Sequence, residues 1–133
     1  MRVIVDTSVW SLSLRRKKTV ESSQTLMLKK LIENQETIFL IGVIVQEVLQ
    51  GIQNNLLFQK IQKHLKAFSW LHPQEEDHIY CARLYNQCLS HGVVPSTTDI
   101  LIAGMAIKHN CSLLTTDKDF EFIAKHSELR LLK

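Results

Sequence analysis

Residues 1–10 read MRVIVDTSVW: three apolar, strand-forming side chains, Val3, Ile4 and Val5, are followed at once by the carboxylate of Asp6 and the hydroxyls of Thr7 and Ser8. A short, unbroken, β-branched run fits a strand buried on both faces, the habit of a parallel sheet. Thr7 or Ser8 then suits the cap of a helix beginning near Val9. An acid at the end of a buried strand is costly unless a partner, a helix terminus or a metal receives it. The turn after this strand is therefore where chemistry is sought.

The same grammar repeats outward along the chain. VESSQTLMLKKLIENQ (20–35) places Leu28, Leu31 and Ile32 on one face of an amphipathic helix. TIFLIG (37–42) is a second strand, and Gly42 turns the chain into VIVQEVLQGIQ (43–53), where Ile44, Val48 and Ile52 share a helical stripe and Glu47 falls on the polar side. A further amphipathic segment, FQKIQKHLKAF (58–68), leads to a strand at FSWL (68–71). Pro73 suits the first turn of the next helix, which Gly92 ends. VVPSTTDILIAGMAIKHN (93–110) carries Pro95 in a loop, a Ser/Thr cluster able to cap, and a helix rich in small residues. CSLLTTDKDF (111–120) then repeats the opening, an apolar strand ending in Thr116 and Asp117, with a helix through Phe122 and a last strand near LRLL (129–132).

Strands alternating with helices predict an α/β fold with a mostly parallel sheet covered on both faces, because parallel neighbours need a crossover. The 133 residues, 45% of them apolar, suit one soluble domain over residues 1–133. Sixteen basic against 13 acidic residues give a net charge of +3, compatible with a polyanionic partner but below the excess of a DNA-coating protein. No apolar run approaches the roughly 20 residues that span a bilayer, and the start lacks the pattern of a signal peptide, so a cytoplasmic protein with no membrane partner is expected. Cys81, Cys88 and Cys111 lack C-x-x-C spacing and read as buried apolar residues rather than a disulfide or zinc framework. Trp10, Trp70 and Phe120 each adjoin an apolar stretch and read as packing residues.

Four acids stand where strands hand over to helices or in the first turns of helices: Asp6, Glu47, Asp99 and Asp117. Each alone has a bland explanation as a cap or a solvated residue. In a parallel sheet, however, they share the carboxyl edge of the strands, where ligands bind. Like charges brought together there repel and raise pKa values unless a cation neutralises them. Mg²⁺ prefers such hard oxygen donors, Mn²⁺ suits the same site, and either ion there points to phosphodiester hydrolysis.

VDTSVW, VIVQEVLQG, TTDILIAGMA and LLTTDKDF resemble, in order, the four acidic motifs of PIN-domain ribonucleases, most closely the VapC-like toxins of bacterial toxin-antitoxin pairs. The resemblance implies a PIN-like three-layer α/β/α domain with Asp6, Glu47, Asp99 and Asp117 as its acidic cluster. Asp6 and Asp99 would then hold Mg²⁺ or Mn²⁺, with Glu47 and Asp117 acting directly or through water. Thr7, which follows the first acid, Thr115, two positions before the last, and Asp119, a further acid of the closing motif, are implied as support. One departure is Gly42, where many relatives place Ser or Thr as a cap. The resemblance further implies cleavage of a structured cellular RNA, control by a cognate antitoxin protein, and a homodimer. The alternative is a noncatalytic PIN-like module that binds RNA or protein. The basic run Arg15, Arg16, Lys17 and Lys18 suits either a grip on RNA phosphates or a solvated turn.

Rival chemistries lack their residues. A haloacid-dehalogenase-like phosphatase needs a second aspartate where Ser8 stands, and a receiver domain needs adjacent acids after the first strand. No Gly-Lys phosphate loop or dinucleotide glycine motif is present. The six histidines are scattered, and His109 with Cys111 is too isolated for a metal site.

Overall fold

The computed structural model describes residues 1–15 and 22–133. The chain runs β1 (Arg2–Val5), α1 (Thr7–Arg15), α2 (Ser23–Glu33), β2 (Thr37–Ile41), α3 (Gly42–Leu49) and α4 (Asn55–Leu65). It continues through β3 (Ser69–Leu71), α5 (Glu75–Ser90), α6 (Thr97–Lys108), β4 (Ser112–Leu114) and α7 (Asp119–Lys125). Of the basic run, residues 16–18 and the side chain of Arg15 lie outside the described residues, as do the first two residues of the helix expected over 20–35.

The strands pair in parallel throughout, in the order β3-β2-β1-β4, and helices complete a three-layer α/β/α arrangement. Parallel pairing with helices on both faces explains why Val3, Ile4 and Val5 are all fully buried. The chain first builds outward from β1 through β2 to β3, then returns to place β4 on the other side of β1. Such a reversal opens a crevice beyond the carboxyl ends of the two strands that flank it, here β1 and β4. Register decides what faces that crevice. Val5 pairs with Leu114, and the Asp6 N–H donates to the Leu114 carbonyl at 2.9 Å, so Asp6 and Thr115 leave the sheet side by side.

Helix α6 is buried almost all round, through Ile100, Ile102, Ala103, Gly104, Met105 and Ala106, as expected of a helix with no polar face. Its small residues permit a close approach to α5: a Cβ on Gly104 would stand 2.3 Å from Cys81 Sγ. The three cysteines are buried and free. Trp10 and Phe120 belong to the core, Trp10 edge-on to Phe68 with ring centroids 5.1 Å apart.

Several local expectations shift. The first helix starts at Thr7, two residues earlier than expected, so Thr7 and Ser8 lie inside its first turn. Gly42 is the first residue of α3 and Ile41 takes the cap position without a side-chain bond, so no cap is lost by having Gly there. Pro73 lies before α5, whose cap Gln74 forms a reciprocal box with Asp77. Ile52 falls beyond the end of α3. Trp70 is 39% exposed, because β3 is a three-residue edge strand with little to cover it. The last strand contracts to one parallel bridge between Leu113 and Leu131. Among the described residues, no helix is long and apolar enough to cross a membrane.

Candidate active site

Asp6 leaves β1 and is buried, with 5% of its surface exposed. A buried carboxylate needs donors, and Asp6 Oδ2 has two, the hydroxyls of Ser8 and Thr115, both at 2.9 Å. Both donors are held in turn. Ser8 Oγ accepts the Thr116 N–H at 3.1 Å, and Thr115 Oγ1 accepts the Asp117 N–H at 3.0 Å. The turn after β1 is thus pinned to the turn after β4, and among the described residues no hydrogen bond reaches Asp6 Oδ1.

Glu47 projects from α3 and its Oε1 accepts the Thr7 hydroxyl at 2.8 Å. Since Thr7 directly follows Asp6, this bond ties the helix after β2 to the turn after β1. Asp99 lies in the first turn of α6, whose cap, Ser96, accepts the Asp99 N–H at 3.0 Å. Asp117 precedes α7, and its Oδ1 accepts the Asp119 N–H at 2.9 Å, a local turn that fixes where Asp119 points.

The result is a concentration of negative charge. Asp99, Asp117 and Asp119 each bring a carboxylate oxygen within 4.8 Å of the others. Asp6 and Glu47 stand outside that trio, but Asp6 is near enough to act on Asp99. Burial, then the charges of Asp117 and Asp6, push the Asp99 carboxyl up to about 6; Asp119 adds to the rise and Ser96 opposes it. Such a site resists holding all its charges unless a cation enters. The donor set, hard oxygens with several carboxylates, fits Mg²⁺ or Mn²⁺ rather than a softer metal.

Two grooves flank the trio. One, about 350 Å³ in volume, runs past Thr115, Asp117 and Lys118 to Ser23 and Lys133. The other, about 520 Å³, is lined by Val94, Pro95 and Ser96 from the loop before α6, by Asp99, and by Asp119 and Phe122 of α7.

Asp119, given only a supporting place by the sequence, joins the tightest group of acids. Its signal was its spacing, two residues after an Asp able to accept its N–H. Ser8 was read as a helix cap and is instead a donor to Asp6; a hydroxyl two residues after an acid was the available sign.

A PIN domain model matches residues 3–126. The chain is similar in fold to VapBC2 from Rickettsia felis bound to a DNA fragment from its promoter, at 19% identity, covering 99% of this chain and 98% of that chain, with a TM-score of 0.77. It is similar to FitAcB from Neisseria gonorrhoeae at 19% identity, covering 98% of this chain and 96% of that one, with a TM-score of 0.77. It is also similar to VapC20 of Mycobacterium tuberculosis, described as a sarcin-ricin loop cleaving toxin, at 13% identity over 96% of this chain and 98% of that one, with a TM-score of 0.63. No curated protein sequence matches.

Proposed function

The chain belongs to the PIN domain family, and from that premise we propose that residues 1–133 form a single metal-dependent endoribonuclease domain, the toxin of a toxin-antitoxin pair. One observation carries the reading: Asp99, Asp117 and Asp119 crowd their oxygens within 4.8 Å at the carboxyl edge of the sheet, where Asp6 also emerges. Asp6, Asp99, Asp117 and Asp119 are the residues that would hold Mg²⁺ or Mn²⁺. When bound, the cation supplies stabilisation of the charge that develops on a phosphodiester under attack.

The chain's own residues do the rest. Ser8 and Thr115 orient Asp6, the turn at Asp117 orients Asp119, and Ser96 fixes the start of α6 beneath Asp99. Glu47, held by Thr7, acts through water on the same cleft. Lys118 and Lys133 line the groove beside Asp117 and grip phosphates of the bound strand. The likeness to VapC20, a sarcin-ricin loop cleaving toxin, supports a structured cellular RNA as substrate, and the likeness to VapBC2 and FitAcB supports a cognate antitoxin; a homodimer in the cytoplasm belongs to the same proposal.

Purified protein freed of any partner tests this reading against RNA in Mg²⁺, in Mn²⁺ and in EDTA. Internal cleavage in either metal, lost in EDTA and lost by at least a hundredfold in Asp6→Asn or Asp99→Asn, is the expected result. Undiminished cleavage in EDTA overturns the metal, and tight RNA binding without cleavage in either ion favours the noncatalytic module.

A further inference from the structure

The two grooves beside the acids differ in the cations they offer, and the difference divides a nucleotide between them. The groove beside Asp117 includes Lys118 and Lys133 together with Glu121. The groove beside Asp99 and Asp119 is lined by no Lys or Arg among the described residues; apart from those two acids its walls are apolar or uncharged. Two of its lining side chains are apolar and exposed, Phe122 54% and Val94 73%. Phe122 follows Asp119 by three residues on α7, and such neighbours share one helix face with their Cβ atoms roughly 5–6 Å apart.

Resting on the ribonuclease reading, we propose that Phe122, with Val94 and Pro95, forms the platform on which an RNA base next to the cleaved phosphate stacks. Beyond the cation that Asp99 and Asp119 would share, this groove has no cationic side chain among the described residues to receive a further phosphate. A base presents a neutral face, which an exposed aromatic ring binds without regard to sequence. The strand then runs with its phosphates over Lys118 and Lys133 and one base against Phe122. That arrangement makes Phe122 a substrate-positioning residue without placing it in the chemistry.

Binding of a single-stranded oligoribonucleotide by the full chain tests this, in an Asp6→Asn background that leaves the strand intact and in the presence of Mg²⁺. Phe122→Ala should weaken affinity about tenfold and Phe122→Tyr should restore it to within about twofold. Phe122→Trp should lose emission when the strand binds, beyond any change from Trp10 and Trp70 in the parent, and an abasic ribose-phosphate strand of equal length should leave that emission unchanged. Equal affinity in Phe122→Ala, or equal quenching by the abasic strand, overturns the platform. Unchanged strand affinity together with loss of a copurifying protein partner assigns the groove to that partner and overturns it too. Because Phe122 is exposed, its removal leaves the core intact, and the melting temperature checks this. The ribonuclease reading fails separately, by absence of metal-dependent cleavage in the unsubstituted chain; cleavage there with a neutral Phe122→Ala removes the platform alone.

Discussion

Helix α6 meets a carboxylate at each end, and the protein treats the two in opposite ways. Beyond its C-terminal end, Asp77 of α5 is buried, yet its Oδ1 lies 3.2 Å from Lys108 Nζ and 3.1 Å from His109 Nε2, and its Oδ2 accepts the Gln74 N–H at 2.8 Å. Burial pushes this carboxyl up, but the Gln74 N–H, Lys108 and His109 outweigh it and hold it below its ordinary value. At the N-terminal end, Asp99 has other carboxylates for neighbours and is pushed up to about 6. The acid at Asp77 is answered within the fold, so it serves stability. The acid at Asp99 finds no such cation among the described residues, which is what the proposed metal site would use.

The largest difference between the ends should appear on neutralising each acid. Asp77→Ala leaves Lys108 and His109 without their anion and opens the box at Gln74, and should cost about 3 kcal/mol of stability by urea unfolding. Asp99→Asn should instead stabilise the metal-free protein. A costly Asp99→Asn or a harmless Asp77→Ala would erase the distinction.

Titration sharpens the comparison with a smaller effect. A carboxyl raised on folding contributes stability at pH below its unfolded value and loses it as pH climbs through the folded one. For Asp99 that window runs from about 4 to about 6, and solvent screening limits the loss to on the order of 1 kcal/mol. Asp77, lowered on folding, contributes above its ordinary value of 3.8 and loses it only as pH falls below that. In EDTA, the unfolding free energy of the unsubstituted chain should therefore fall relative to that of Asp99→Asn as pH rises from 4 to 6, the difference being the part due to Asp99. Thr115→Val should be milder still, costing about 1 kcal/mol through the hydroxyl shared by Asp6 and the Asp117 N–H.

Much of the functional end was legible because its residues sit at grammatical positions. An apolar run followed by Asp6, and another followed by Thr115 and Asp117, announce two strands ending at one edge. The alternation of strands and helices gave the parallel sheet that brings those ends together. What stayed hidden depends on contacts across the fold. Asp119 joins the acids through a turn closed by the Asp117 side chain, and Ser8 finds Asp6 only once α1 begins two residues early. Phe122 looks like one more apolar helix residue until α7 is seen to turn it outward. Asp77, one of three acids in the first turn of α5, gave no sign of its burial, because its partners lie more than thirty residues away at Lys108 and His109.

The central claim, that the repulsion at Asp99 exists to be relieved by a divalent cation, is tested most directly by thermal melting of the unsubstituted chain and Asp99→Asn, each at pH 7 in EDTA and in millimolar Mn²⁺. The unsubstituted protein should melt several degrees higher in Mn²⁺, by mass action on the native state. Asp99→Asn should melt higher than the unsubstituted protein in EDTA and gain little from Mn²⁺. An Asp99→Asn protein that melts lower in EDTA, or that keeps the full Mn²⁺ shift, would contradict the account.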